Sequence, residues 1–572
     1  MSTDRETELN EVKAGAAGVA LGSLTYMGGQ LPLEPSVLDA VTGYGYSGAA
    51  ALVAGAVAHN RWYFSARQKF LREVHGEGWL DRHDLRNTSG RAALRRQAAQ
   101  IRPKLEGKGK PSEYGWKLGK LVSGERYLRG RAVYTPGPRP IGIVGPTESG
   151  KTQLLVNGVV ETPGAAVVTS TKTELVELTQ VLRSQLGPTP VFNPQGLGDV
   201  ENTFYWDPVA GCTDQQIADA RAWALVRGGG GKEGIERADF WAGKAQEIIR
   251  AYLLAAALQG WDMGAVMHWA HNPDDYTPVN ILEAHPMHVP AGWVGTLTTH
   301  LQASHNTRTG YFATVTSCVG FMDNPRVAAA CRPPANQSFD VAEFIKANGT
   351  LYLVGGQQDR RIAPLLTALT EHIFGEAQKI AANEAGGRLD PWLSFWLDEV
   401  ANITPVPLDV WTTDSRGWGI RIAAVIQALS QLETTWGPAR ADTIWNNLVT
   451  KVILPGVTDH KDLENLSYLA GKRWRTRITE NENSGDAAGR GRSTSTGRTQ
   501  ERENVVDGHT ISNMPKWHIY VHGLGRHAAV LKFEPGFKRV RRELRRLGKR
   551  AEARKLPSLA WRPEEGEEGA PA

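Results

Sequence analysis

Ile141-Gly-Ile-Val-Gly-Pro-Thr-Glu-Ser-Gly-Lys-Thr152 is the stretch that decides the fold. Ile141, Ile143 and Val144 read as a buried strand, and Leu154-Leu-Val156 behind them read as a helix. Between them Gly145, Pro146, Thr147, Glu148, Ser149, Gly150, Lys151 and Thr152 spell G-x-x-x-x-G-K-T, the P-loop, in the strand-to-helix setting it requires. Gly145 and Gly150 let the backbone curl until its N–H groups converge on a phosphate. The positive end of the following helix adds to that attraction. Lys151 then reaches the β- and γ-phosphates, and the Thr152 hydroxyl is placed for Mg²⁺. The expected cofactors are ATP and Mg²⁺, with all eight residues holding the nucleotide. Glu148 is an acid among phosphate-binding residues and is expected to point outward.

Outward from that loop, strands and helices alternate, the pattern of a parallel sheet covered on both faces. Gly164-Ala-Ala-Val-Val-Thr-Ser170 reads as the next strand and Pro190-Val-Phe-Asn-Pro194 as a short third one. After residue 213 the strand signals stop. Trp241, Ala245, Ile248, Tyr252 and Ala255 mark one face of a long helix, so 213–335 reads as an all-helical insertion. Its tryptophans (Trp223, Trp261, Trp269, Trp293) read as core, and Gly228-Gly-Gly-Gly-Lys232 as a loop. Alternation resumes at Thr350-Leu-Tyr-Leu-Val354.

The second anchor is Trp392-Leu-Ser-Phe-Trp-Leu-Asp398-Glu399, an apolar strand delivering two adjacent carboxylates. Behind a P-loop, Asp398 holds Mg²⁺ through water, and Glu399 orients and deprotonates the attacking water. A further strand, Ile422-Ala-Ala-Val-Ile-Gln427, ends on Gln427, where a sensor of the γ-phosphate belongs; Lys451-Val-Ile-Leu-Pro455 closes the series.

The flanks say less. Two uncharged windows, 14–33 and 40–60, each have about the 20 residues needed to cross a bilayer. Arg61, Arg67, Lys69 and Arg72 follow directly, so 1–61 reads as a membrane hairpin with both ends in the cytoplasm. Their Gly/Ala-rich composition also fits two packed soluble helices. Residues 62–130 read as a basic helical connector, 479–508 as a flexible linker, 509–537 as a late hairpin and 538–572 as a basic helix with an acidic tail. That basic run could grip phosphates or simply be a solvated face. The nucleotide-binding domain is expected in two parts, 131–212 and 336–478. Cys212, Cys318 and Cys331 stand far apart with no C-x-x-C, which argues against a disulfide framework or a structural zinc site. A net charge of +5 on 572 residues leaves only its local distribution to speak about partners.

Together these pieces resemble the type IV secretion coupling proteins of bacterial conjugation, the TraG/TraD-like ATPases. The resemblance covers about 80–475 and is carried by the P-loop, Thr169-Ser-Thr-Lys172, Val191-Phe-Asn-Pro-Gln195, Phe204-Tyr-Trp-Asp-Pro208, Leu397-Asp-Glu399, Arg416-Gly-Trp-Gly-Ile420 and Ile426-Gln427. Glu148 and Asn193 depart from the family pattern. The resemblance implies a RecA-like α/β P-loop domain with an inserted all-helical domain and an N-terminal transmembrane hairpin. It implies a homohexameric ATPase at the bacterial inner (cytoplasmic) membrane, most of the chain on the cytoplasmic side. Such a protein moves single-stranded DNA with its relaxase toward secretion channel proteins, and Arg416 would reach the nucleotide of the adjacent subunit as a finger. Other classes stay open: an FtsK-like double-stranded DNA pump, a protein-secretion ATPase, or a nucleotide-binding membrane scaffold without turnover.

Overall fold

The computed structural model describes residues 66–229, 238–334, 339–356, 358–483, 493–549 and 552. The chain divides into two units, 1–75 and 76–572. Of the first, the described part is 66–75, which holds the short helix Ala66–Glu73. The expected membrane hairpin at 14–60 lies outside the described residues. Among the described residues, no helix is long and apolar enough to cross a membrane.

The second unit is built on one eleven-stranded sheet. In chain order its strands are β1 Gly115–Leu121, β2 Ala132–Pro136, β3 Ile141–Val144, β4 Ala166–Ser170, β5 Val191–Phe192, β6 Thr350–Val354, β7 Leu393–Leu397, β8 Ile420–Ile426 and β9 Thr450–Ile453. After a separate ladder of β10 Lys472–Asn483 and β11 Ser493–Asn504 come β12 His518–His522 and β13 Ala529–Lys532. The spatial order is β2-β1-β13-β12-β9-β3-β8-β7-β4-β6-β5. From β9 to β5 every pairing is parallel. Those strands are buried on both faces, so they appear as continuous apolar runs. From β9 to β2 every pairing is antiparallel.

Neighbours within a strand serve opposite faces. In β7, Trp396 meets the P-loop helix Lys151–Glu161: a β-carbon at Gly158 would overlap its ring, and its indole N–H donates to Thr162 Oγ1 at 2.9 Å. Phe395 meets the opposite layer, where Trp411 stacks on Phe374 of helix Ala363–Asn383 with ring centroids 3.9 Å apart. Between β5 and β6 every described element is helical, as expected of the insertion. Trp269 is core there, whereas Trp223 and Trp261 are exposed, so the aromatic enrichment is only partly packing.

Three segments differ from the sequence expectation. The connector 62–130 is not helical throughout, because β1 runs antiparallel to β13 and β2 in the main sheet. The late hairpin β12–β13 is not separate either: β12 pairs with β9, making the C-terminal segment part of the main sheet. The expected linker 479–508 falls largely in the β10–β11 ladder, paired from Lys472↔Asn504 to Asn483↔Ser493. Low apolar content hid that ladder. It is a polar ribbon held by backbone bonds and cross-strand ion pairs such as Arg473 Nε to Glu503 Oε1, 3.0 Å.

Candidate active site

Ligands of open parallel sheets bind at the carboxyl ends of the strands. Here β3 ends in the P-loop, β7 in Asp398-Glu399 and β8 in Gln427, on one edge and in adjacent positions (β3-β8-β7). Residues 250 apart in sequence thereby become neighbours.

The loop has the conformation its glycines allow. Gly150 sits at φ 101° and caps the helix that starts at Lys151. Glu148 takes a left-handed φ of 64° and is exposed, so the acid stays outside the cradle. Lys151 is buried, its ammonium donating to the Gly145 and Pro146 carbonyls at 2.6 and 2.8 Å. Burial pulls its pKa down, against the pull of Asp398 and Glu399.

Asp398 is buried, and its Oδ1 accepts no hydrogen bond. Burial pushes its pKa up to about 7; Glu399 adds to the rise and Lys151 opposes it. An orphaned, buried carboxylate oxygen at the end of β7 suits a divalent cation. Asp398 could hold Mg²⁺ there, with the Thr152 hydroxyl in the first turn of the P-loop helix as the expected second ligand.

Glu399 follows at φ 49°, a left-handed conformation uncommon for its residue type. It starts the short helix Val400–Ile403, and both carboxylate oxygens are held: Oε1 accepts from Gln427 Nε2 at 3.1 Å and Oε2 from Asn402 Nδ2 at 3.2 Å. Gln427 is fixed in turn, its backbone N–H donating to Gln431 Oε1 at 2.8 Å. Thr169 Oγ1, at the end of β4, donates to the Asp398 carbonyl at 3.2 Å and holds the turn. The structure thus brings Lys151, Asp398, Glu399 and Gln427 together, with Thr152 next to Lys151 in the first turn of the P-loop helix. Asn402 escaped the sequence reading, although a polar residue three positions after an acid on one helical turn was a usable signal.

Arg416 is elsewhere. It is exposed and precedes β8, whereas Gln427 follows it, so roughly 23 Å of strand separates the two at about 3.3 Å per residue. Its charge is felt by Arg139, which precedes β3 at that opposite edge. Within one chain Arg416 does not meet the P-loop, and a finger role requires a second copy.

Comparisons with known proteins bear on this arrangement. Residues 393–516, from β7 to just before β12, match the family model described as the TraM recognition site of TraD and TraG. No curated protein matches the chain. Among solved structures, the bacterial conjugative coupling protein TrwB in an unbound form is 20% identical and superposes with a TM-score of 0.52, covering 74% of this chain and 95% of that one. The plasmid coupling protein TrwB in complex with the ATP analogue ADPNP gives 20% identity and a TM-score of 0.51, over 75% of this chain and 96% of that one. TrwB in complex with ADP and Mg²⁺ gives the same identity and TM-score, over 75% and 95%. The chain therefore carries a TraG/TraD-type segment, holding both carboxylates and Gln427, within the fold of a bacterial conjugative coupling protein.

Proposed function

We propose that this chain is a type IV coupling protein of the TraG/TraD type, an ATPase that drives transfer of a relaxase–DNA substrate toward a conjugative secretion channel. The observation that carries the reading is the meeting of Lys151, the orphaned Asp398 oxygen, Glu399 and Gln427 at one sheet edge. A scaffold that only binds nucleotide has no use for an acid held by two amides where the γ-phosphate would lie.

In this reading the loop N–H groups and Lys151 hold the phosphates, the lysine exchanging its two carbonyl partners for phosphate oxygens. Thr152 and Asp398 would hold Mg²⁺, which would supply charge neutralisation for the phosphates. Glu399 takes a proton from water, and Gln427 keeps that carboxylate aimed. The seven-strand parallel sheet fixes these groups relative to one another, so charge stabilisation costs little reorganisation. Arg416 completes the site of a neighbouring copy in a hexameric ring, with the chain at the bacterial inner membrane.

The test is ATP hydrolysis by the full chain without DNA, with single-stranded DNA and with double-stranded DNA, beside Lys151→Ala and Glu399→Gln. DNA-stimulated turnover that both substitutions abolish is expected. Stimulation by double-stranded DNA alone would favour an FtsK-like pump. Turnover indifferent to any DNA would point to a protein-secretion ATPase.

A further inference from the structure

The P-loop accounts for phosphates and says nothing of the base. The sheet order does. The groups that would face the γ-phosphate come from β8 and β7, on one side of β3. A triphosphate held with its γ end toward them would lead its nucleoside out on the other side, where β9 and then β12 follow β3 in the sheet. Trp517, immediately before β12, stands there. Its ring lies against Gly150: a β-carbon on that glycine would be 3.3 Å from Cζ3.

Three features of Trp517 fit a platform better than packing alone. It is only partly buried, beside buried Phe533 and Phe537, whose rings lie edge-on at centroid distances of 5.7 and 6.4 Å. That arrangement braces the indole against the loop without burying it fully. Its φ is 67°, a conformation that is an outlier for a bulky residue and clusters at ligand sites. The ammonium of exposed Lys516 lies 5.2 Å from the ring centroid, so the π-system of Trp517 already takes part in a polar contact. The segment is also tied to the nucleotide helix, since the Phe537 N–H donates to Gln153 Oε1 at 2.9 Å in its first turn.

We propose that Trp517, braced by Phe533 and Phe537 against the P-loop glycine Gly150, is the stacking platform for the base of the bound nucleoside triphosphate. This rests on the nucleotide-site reading above. Stacking is tolerant of base identity because every base has a π-face, so ATP and GTP both bind.

The experiment measures binding of ATP and of inorganic tripolyphosphate, each with Mg²⁺, to the full chain and to Trp517→Ala, Trp517→Phe and Lys151→Ala. Trp517→Ala is expected to weaken ATP by about ten- to a hundredfold and to leave tripolyphosphate within about twofold. Trp517→Phe keeps most of the ATP affinity, and Lys151→Ala loses both ligands. Equal weakening of both ligands by Trp517→Ala would make the indole a prop for Gly150 and overturn the platform, as would no effect on either. Should Trp517→Ala fail to fold, the unaltered chain decides, by binding ATP against ribose 5-triphosphate, which lacks a base. Equal affinities refute the platform while leaving the phosphate site intact. Binding of neither ligand by the unaltered chain refutes the nucleotide site, and the platform with it.

Discussion

Asp398→Asn should make the empty protein more stable at alkaline pH while destroying its activity. In the folded chain burial and Glu399 push the Asp398 carboxyl up to about 7, from an ordinary 3.8. Between those values the folded state holds a proton that the unfolded chain has released, so stability falls as pH rises. Above about pH 7 the folded chain must carry the buried charge. About three units at about 1.4 kcal/mol each put the full penalty near 4 kcal/mol, to order of magnitude. At about pH 5 less than about 2 kcal/mol of it has developed. Asparagine keeps the shape without the charge. Its own cost, an unpaired buried amide, does not vary with pH and cancels between conditions. Denaturant unfolding of nucleotide-free wild type and variant should therefore show a stability difference that shifts by about 2–3 kcal/mol in the variant's favour from about pH 5 to pH 8. A difference that does not change with pH would refute the claim that Asp398 is a buried charge waiting for a cation. Mg²⁺ with ATP should narrow the gap by stabilising the wild type more than the variant, which keeps the P-loop but loses a metal ligand.

Glu399→Gln should bind ATP normally yet hydrolyse it about 10²–10⁴-fold more slowly, because its amide oxygen can still accept from one of Gln427 and Asn402 while its NH2 donates to the other once that amide flips; turnover within about threefold of wild type would reassign the base. His372, stacked on Trp206, has its pKa pulled down to about 3 by burial and by Arg221 and Lys379. The unfolded chain then takes up protons first as pH falls below about 6.5, so stability should drop by up to about 2 kcal/mol by about pH 5, and His372→Phe should flatten that slope in thermal melts. Arg416→Ala should keep ATP binding and lose turnover, and mixing it with Lys151→Ala chains, which supply intact fingers, should restore part of the rate. Failure of the mixture to recover any activity would show that Arg416 does not act across subunits.

Much of the site was legible because its chemistry is local. The spacing of Gly145, Gly150, Lys151 and Thr152 is a requirement of one loop, and an apolar strand ending in Asp398-Glu399 carries its own signature. The strands β3 to β9 were legible too, since burial on both faces leaves unbroken apolar runs. The β10–β11 ladder was not: its strands face no core, so Thr, Arg and Glu in β10 and β11 look like linker.

By itself the sequence determined that a P-loop strand and helix exist, that two carboxylates and Gln427 end later strands, and that a helical block interrupts the series. Only the tertiary structure decided which strand lies beside which. That order sets Gln427 against Glu399, leaves Arg416 at the far edge, and brings β12 with Trp517 beside the P-loop. The physical reason is range. Turns and strand ends are fixed by neighbouring residues, whereas pairing across hundreds of residues is fixed by burial and backbone bonding of the whole sheet.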